Sequence, residues 1–160
     1  MTGLKWIILF ERKLLIIFIS FNFQNSLLKL KMEYTFDKTL KGISFEDALV
    51  RVTDELKKEG FGIITEIDVR ETFKNKLDVD FRNYKILGAC NPGFAYKAIQ
   101  AESKIGALLP CNVIVQENAA GDIEVSAIDP EVSMSSVKND NLSGIASEVK
   151  NKLKKVIGLL

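Results

Sequence analysis

Two cysteines are the side chains of this 160-residue chain best suited to chemistry. Cys90 ends a strand-like run and precedes Asn91 and Pro92, a pair typical of the start of a helix. The free N–H groups of a helix N-terminus favour an anion and therefore a thiolate. Cys111 begins the next strand-like run and is followed by Asn112. If the chain binds a metal, Cys90 and Cys111 are the candidate ligands.

Whether the two cysteines meet depends on how their strands run. A parallel crossover would place them at opposite ends of the sheet, whereas an antiparallel return would make them neighbours, flanked by Asn91 and Asn112. As neighbours they would suit a redox pair, a soft-metal site or a sulfur carrier. The alternatives are two small buried apolar side chains and a structural disulfide.

Two carboxylates form a second candidate site. Glu66 and Asp68 occupy alternate positions of a predicted strand, roughly 7 Å apart, and the alternation places them on one face with Ile64. Ile63 and Ile67 are predicted to share the other face. Paired carboxylates can perform acid–base chemistry or bind a hard cation. The alternatives are a solvated strand face and an ion pair in a dimer.

Composition excludes several classes of function. The chain has no histidine, so it carries no Ser-His-Asp or Cys-His site and no histidine-ligated metal. Two cysteines are too few for a usual structural zinc site. A net charge of +1 is too neutral for a general nucleic-acid binder, and no phosphate-binding glycine motif is present. Because no catalytic set is complete, the sequence leans toward a non-enzymatic protein.

Periodicity predicts one α+β domain over residues 32–160. Helices with apolar stripes alternate with short strands, and this order favours helices packed on one face of a sheet. Residues 129–140 are predicted to be a loop, and Asn141 or Ser143 to cap the last helix. The predicted strands cover residues 34–40, 61–69, 84–90, 111–116 and 123–128, and the predicted helices residues 44–59, 70–77, 91–109 and 141 onward.

Residues 1–31 differ from the rest of the chain. They contain five basic residues, one acidic residue and five of the fourteen aromatics. Their two apolar runs are each shorter than the ~18–20 residues of a membrane-spanning helix. One interpretation is that translation begins at Met32 and that this segment is upstream sequence. The others are an interfacial membrane anchor and a cleaved or spanning segment.

Three runs resemble domain-of-unknown-function family 302, a likeness that extends over about residues 34–129. These runs are GIITEIDV (62–69), ILGACNP (86–92) and LLPCNV (108–113). The resemblance implies a TATA-binding-protein-like fold, β-α-β(4)-α, with a curved antiparallel sheet of about five strands and commonly a homodimer. The predicted helix over residues 91–109 would be an extra helix inserted between strands. The resemblance implies no known activity.

These observations together favour a dimeric module that binds a small ligand or a partner. The alternative is a thiol-dependent redox, soft-metal or sulfur-handling protein that uses Cys90 and Cys111. The sequence names no cofactor and no ligand, and we expect no nucleic-acid partner. The expected location is the cytoplasm, with membrane contact only through residues 1–31.

Overall fold

The computed structural model describes residues 33–160. The interpretations of residues 1–31 and of Met32 therefore lie outside the described residues. Five strands and five α-helices are described, together with a short 3₁₀ helix at Ile105–Leu108. In chain order the elements are β1 (Thr35–Leu40), α1 (Phe45–Lys58), β2 (Gly62–Asp68), α2 (Val69–Leu77), β3 (Tyr84–Cys90), α3 (Pro92–Ala101), β4 (Cys111–Glu117), β5 (Ile123–Ile128), α4 (Pro130–Ser133) and α5 (Asn141–Leu159).

The five strands form one open, fully antiparallel sheet in the order β1-β5-β4-β3-β2. The prediction of an α+β domain with such a sheet is confirmed. Both helices predicted between strands are present, since α2 lies between β2 and β3 and α3 between β3 and β4. Helix α4 is four residues long and follows β5 within the predicted loop, where Pro130 occupies its first turn.

Helix α1 begins and ends where its sequence signals predict. Ser44 Oγ accepts a hydrogen bond from the Asp47 N–H at 3.0 Å and donates one to the Asp47 carboxylate at 2.7 Å. Gly60 adopts φ +84°, and Phe61 N–H donates to the Leu56 carbonyl at 3.0 Å. Those two features are the left-handed helix ending that favours glycine, so the chain turns directly into β2.

Strand β2 departs from the alternation that its sequence predicts. Ile63 pairs with Ala89 and Thr65 pairs with Gly88, so the register shifts at Ile64. An extra residue in one strand reverses which face the following side chains use. Glu66 therefore shares the face of Ile63, and the predicted common face for Ile63 and Ile67 is wrong.

Two other boundaries also differ from the sequence-based expectation. The helix predicted over residues 91–109 ends at Ala101 and continues after a break as the 3₁₀ turn, where Ile105 is buried. Neither Asn141 nor Ser143 caps α5 through its side chain. Instead, Asn139 Oδ1 accepts from the Asn141 N–H at 3.1 Å, and the Asn139 amide donates to the Ala101 carbonyl at 2.9 Å.

The main core lies between one face of the sheet and helices α1 and α5. Val52 and Leu56 of α1 and Leu153 of α5 are fully buried there, against Val113 and Val125 of the central strands. A second, smaller cluster joins α3, the 3₁₀ turn, α4 and the first half of α5. Among residues 33–160, no helix combines the length and the apolar character needed to cross a membrane.

Candidate functional site

Cys90 and Cys111 lie at the same end of the sheet. Strands β3 and β4 are antiparallel, and Ala89 pairs directly with Cys111. Cys90 is one residue beyond that pair and is itself opposite Gly62 of β2. Cys111 is buried, Cys90 is half-buried, and both are free thiols. The described fold is therefore the antiparallel alternative, in which the two cysteines are neighbours.

Both cysteines line one small pocket, which we call the cysteine pocket. Its volume is about 30 Å³, above the ~10–15 Å³ that a cavity needs to hold one water molecule. The walls come from the adjoining ends of β3 and β4 and from α3, α4 and α5. Apart from the thiols and Asn91, the lining side chains are all apolar; Phe61, Phe94, Leu109, Met134, Ile145 and Val149 are the largest of them.

The sequence reasoning missed the walls that α4 and α5 contribute. Met134 directly follows α4 and Ala146 lies in α5, and both line the pocket because α5 packs against α3 and α4. Neither residue carries a chemical signal in the sequence, since apolar spacing in a helix is equally consistent with any core contact. Pro110 belongs to the run LLPCNV and lines the pocket next to Cys111 in the chain.

The residues that flank the cysteines have different positions. Asn91 is half-buried, lines the pocket and caps α3, its Oδ1 accepting from the Phe94 N–H at 3.5 Å. Pro92 is exposed and occupies the first turn of α3. Asn112 is exposed and pairs with Gly88, whose face of the sheet is opposite that of Cys111. The structure thus brings Asn91 to the thiols and leaves Pro92 and Asn112 outside the pocket lining.

Glu66 and Asp68 lie away from the cysteines, toward the other end of β2. The Glu66 carboxylate pairs with the Lys85 ammonium of β3. Asp68 caps α2, since its Oδ1 accepts from the Glu71 N–H at 2.8 Å. Both carboxylates therefore have structural partners within the fold. Among the described residues, no three Asp, Glu, Cys or His side chains are grouped so that they could hold a metal ion.

Burial raises the pKa of the Cys111 thiol from its usual 9.0 to about 11, and the neighbouring Cys90 adds to the shift. At neutral pH, Cys111 is therefore a protonated, weakly polar side chain. Its thiol suits the apolar lining of the pocket better than it suits attack on a substrate, because the thiolate is the reactive form.

The raised pKa predicts an alkaline loss of stability. The unfolded chain releases the Cys111 proton at a lower pH than the folded one, so the folded state binds more protons between pH 9 and 11. The contribution of the protonated thiol to the free energy of unfolding is complete below pH 9 and is lost as the pH rises through 11. The loss is about 3 kcal/mol at most. Urea unfolding of the native chain and of Cys111→Ala at pH 9 and pH 11 tests this prediction. The free energy of unfolding should fall less in Cys111→Ala than in the native chain, and Cys90→Ala is the matched control.

An equal fall in the native chain and in Cys111→Ala would contradict the prediction.

The described residues form an α+β domain with an open antiparallel sheet and a cysteine-lined pocket at one end. The chain belongs to the family "Domain of unknown function DUF302", which matches residues 36–160. That family has no established activity.

A solved structure supports the same fold. The crystal structure of an uncharacterized conserved DUF302 protein from Bacillus stearothermophilus resembles this chain with a TM-score of 0.73 and 23% sequence identity. The match covers 79% of this chain and 97% of the other. No protein of curated function matches this chain.

Proposed function

We propose that this domain is a dimeric binding module and that its ligand places a small apolar group in the cysteine pocket. The observation that carries the proposal is the pocket itself, whose lining side chains are apolar except for Asn91 and two thiols. Binding sites for small molecules are usually apolar cavities with a few polar groups that fix orientation. Asn91 and the thiols would supply those groups.

The size of the pocket limits the group that enters it. A volume of about 30 Å³ admits only a few non-hydrogen atoms. Cys90, Asn91 and Phe94 are half-buried whereas Cys111 is buried, so the former three mark the side nearer the solvent. A larger ligand would insert an alkyl or similar end toward Cys111 and leave its remainder beside Cys90.

The dimer is proposed on the sheet face opposite α1 and α5. Three isoleucines form one row across β2, β3 and β4 on that face, because Ile86 is the cross-strand partner of both Ile67 and Ile114. Ile67 is 49% exposed. Ile86 and Ile114 are half-buried. A contiguous apolar row that is only partly covered is typical of a contact surface, and a twofold dimer would bury the same row on both copies.

A second candidate function is the handling of a soft metal or of sulfur by the two thiols. The supporting observation is that Cys90 is close enough to affect the pKa of Cys111. A soft ion such as Cu(I) would be bound by both sulfurs, with their protons released to solvent. Two thiols that remain free also suit the reducing cytoplasm, which we propose as the location.

Native mass spectrometry of the full chain, purified from its own host without reductant or chelator, tests both candidates. We expect a dimer that carries an organic molecule, released on denaturation, with both thiols free to react. A metal adduct that is lost after alkylation would instead support the second candidate. A mass equal to that of the polypeptide alone would contradict ligand binding, and a monomeric mass would contradict the proposed dimer.

A further inference from the structure

A second concave region lies at the opposite end of β3 and β4 from the cysteine pocket. This cleft has a volume of about 620 Å³, within the ~300–1,000 Å³ typical of small-molecule sites. Arg70 and Arg82 line it, together with Asn83, Gln116 and Glu117. Along β3 it is roughly 20 Å from the cysteines, so it is a separate site.

Each arginine is held by a neutral amide. Arg70 Nη1 donates to Asn83 Oδ1 at 2.8 Å. Arg82 donates from Nε and Nη2 to Gln116 Oε1, at 3.2 and 2.7 Å. A guanidinium has five N–H donors, so most donors of both arginines remain available. Within residues 33–160, neither arginine forms an ion pair.

The amides are themselves fixed in orientation. The Asn83 amide donates to the Glu117 carboxylate at 3.1 Å, so its oxygen points to Arg70. The Gln116 amide donates to the Glu124 carboxylate at 2.8 Å, so its oxygen points to Arg82. Each carboxylate thus orients an arginine through an amide and does not neutralise it by direct contact.

Aromatic rings hold Arg82 in place as well. Its guanidinium carbon lies 4.5 Å from the centre of the Phe81 ring and 5.5 Å from that of Tyr84. Stacking against aromatic rings and two hydrogen bonds to the single Gln116 Oε1 atom restrict the side chain before any ligand arrives. A restricted arginine loses less conformational entropy on binding than a mobile one.

From this arrangement we infer that the cleft, which we call the arginine cleft, binds the carboxylate or phosphate end of a small anionic molecule. Two oriented guanidinium groups line one cleft and form no ion pair with any residue of 33–160, so together they supply the N–H donors that recognise such oxyanions. Glu117 lines the same cleft and would repel a second negative group. The ligand class is therefore a molecule with one anionic end and an uncharged remainder.

Titration of the full-length protein with inorganic phosphate and, separately, with butyrate tests the inference. Nuclear magnetic resonance of the arginine side-chain N–H groups is the readout. We expect saturable shifts at Arg70 and Arg82, with a dissociation constant of about 1 mM or tighter for at least one probe. The tighter probe identifies the anionic group as phosphate or carboxylate.

Three variants distinguish a specific anion site from nonspecific electrostatic attraction of anions to the protein surface. Arg70→Gln and Arg82→Lys should each weaken binding about tenfold or more, since a charge-assisted or bidentate contact is lost. Glu117→Gln should tighten it. Arg51→Gln is the control, because Arg51 donates to the Leu159 carbonyl and does not line the cleft. Equal shifts at all arginines, unchanged affinity in Arg82→Lys, or no saturation would overturn the inference. Melting temperatures confirm that each variant is folded.

Discussion

Replacement of Asp129 by alanine is expected to lower the free energy of unfolding by about 3 kcal/mol. Asp129 is only 4% exposed. Its Oδ1 accepts from the N–H groups of Glu131 and Val132, at 2.9 and 3.4 Å, and so caps α4. Its Oδ2 lies 2.9 Å from the Lys150 ammonium of α5. Alanine would remove the cap and the carboxylate that joins β5 to α5 in one step.

Urea unfolding of Asp129→Ala and two related variants measures this effect. Asp129→Asn keeps an oxygen for the cap and loses the charge, so it should fall between alanine and the native chain. Glu131→Ala removes the exposed second partner of Lys150 and should have a much smaller effect. An Asp129→Ala protein as stable as Glu131→Ala would show that the buried carboxylate is not what holds α4 and α5 together.

Substitution of Gly88 by alanine is expected to destabilise the domain by about 2–3 kcal/mol. A Cβ at this position would overlap Thr65 Oγ1 and would lie 2.7 Å from Pro110 Cγ. The threonine hydroxyl can rotate away, but the proline ring cannot. Since Pro110 also lines the cysteine pocket, the same change should disturb the pocket.

Thermal or urea unfolding of a small set of variants isolates the cause. Gly62→Ala is the matched control on the neighbouring strand, because a Cβ there meets nothing within 4 Å. Combining Gly88→Ala with Thr65→Ala should recover only part of the loss, since the contact with Pro110 remains. Full recovery, or equal effects of Gly88→Ala and Gly62→Ala, would show that Pro110 does not crowd this position.

The sequence predicts the elements whose signals are local. Ser44 and Gly60 bound α1, Asn91 and Pro92 start α3, and the apolar periods identify all five strands. The extra residue at Ile64 is not predictable in this way, because a bulge is defined by its partner strand. Its effect is large, since it reverses the faces of Glu66 and Ile67.

The candidate sites also combine features that local sequence predicts with features that depend on long-range contacts. The spacing of Cys90 and Cys111 predicts that they meet if the strands are antiparallel, but the pocket depends on α4 and α5, which are distant in sequence. The arginine cleft has no local signal. Arg82 contacts Gln116 only because Tyr84 and Gln116 share a register position across β3 and β4. Long-range pairing of this kind is not visible in one sequence.

Filling the cysteine pocket is the most direct test of the proposal that it holds the ligand. Ala95 lines the pocket, and methionine at this position would occupy the space. Ala107 is exposed on the 3₁₀ turn outside the pocket lining, so Ala107→Met is the matched control.

Both variants are prepared from the native host and compared by native mass spectrometry, with melting temperatures to confirm folding. We predict that the organic adduct of the native chain persists in Ala107→Met and is absent from Ala95→Met. An adduct retained in a folded Ala95→Met protein would contradict the proposal, because the ligand would then bind elsewhere.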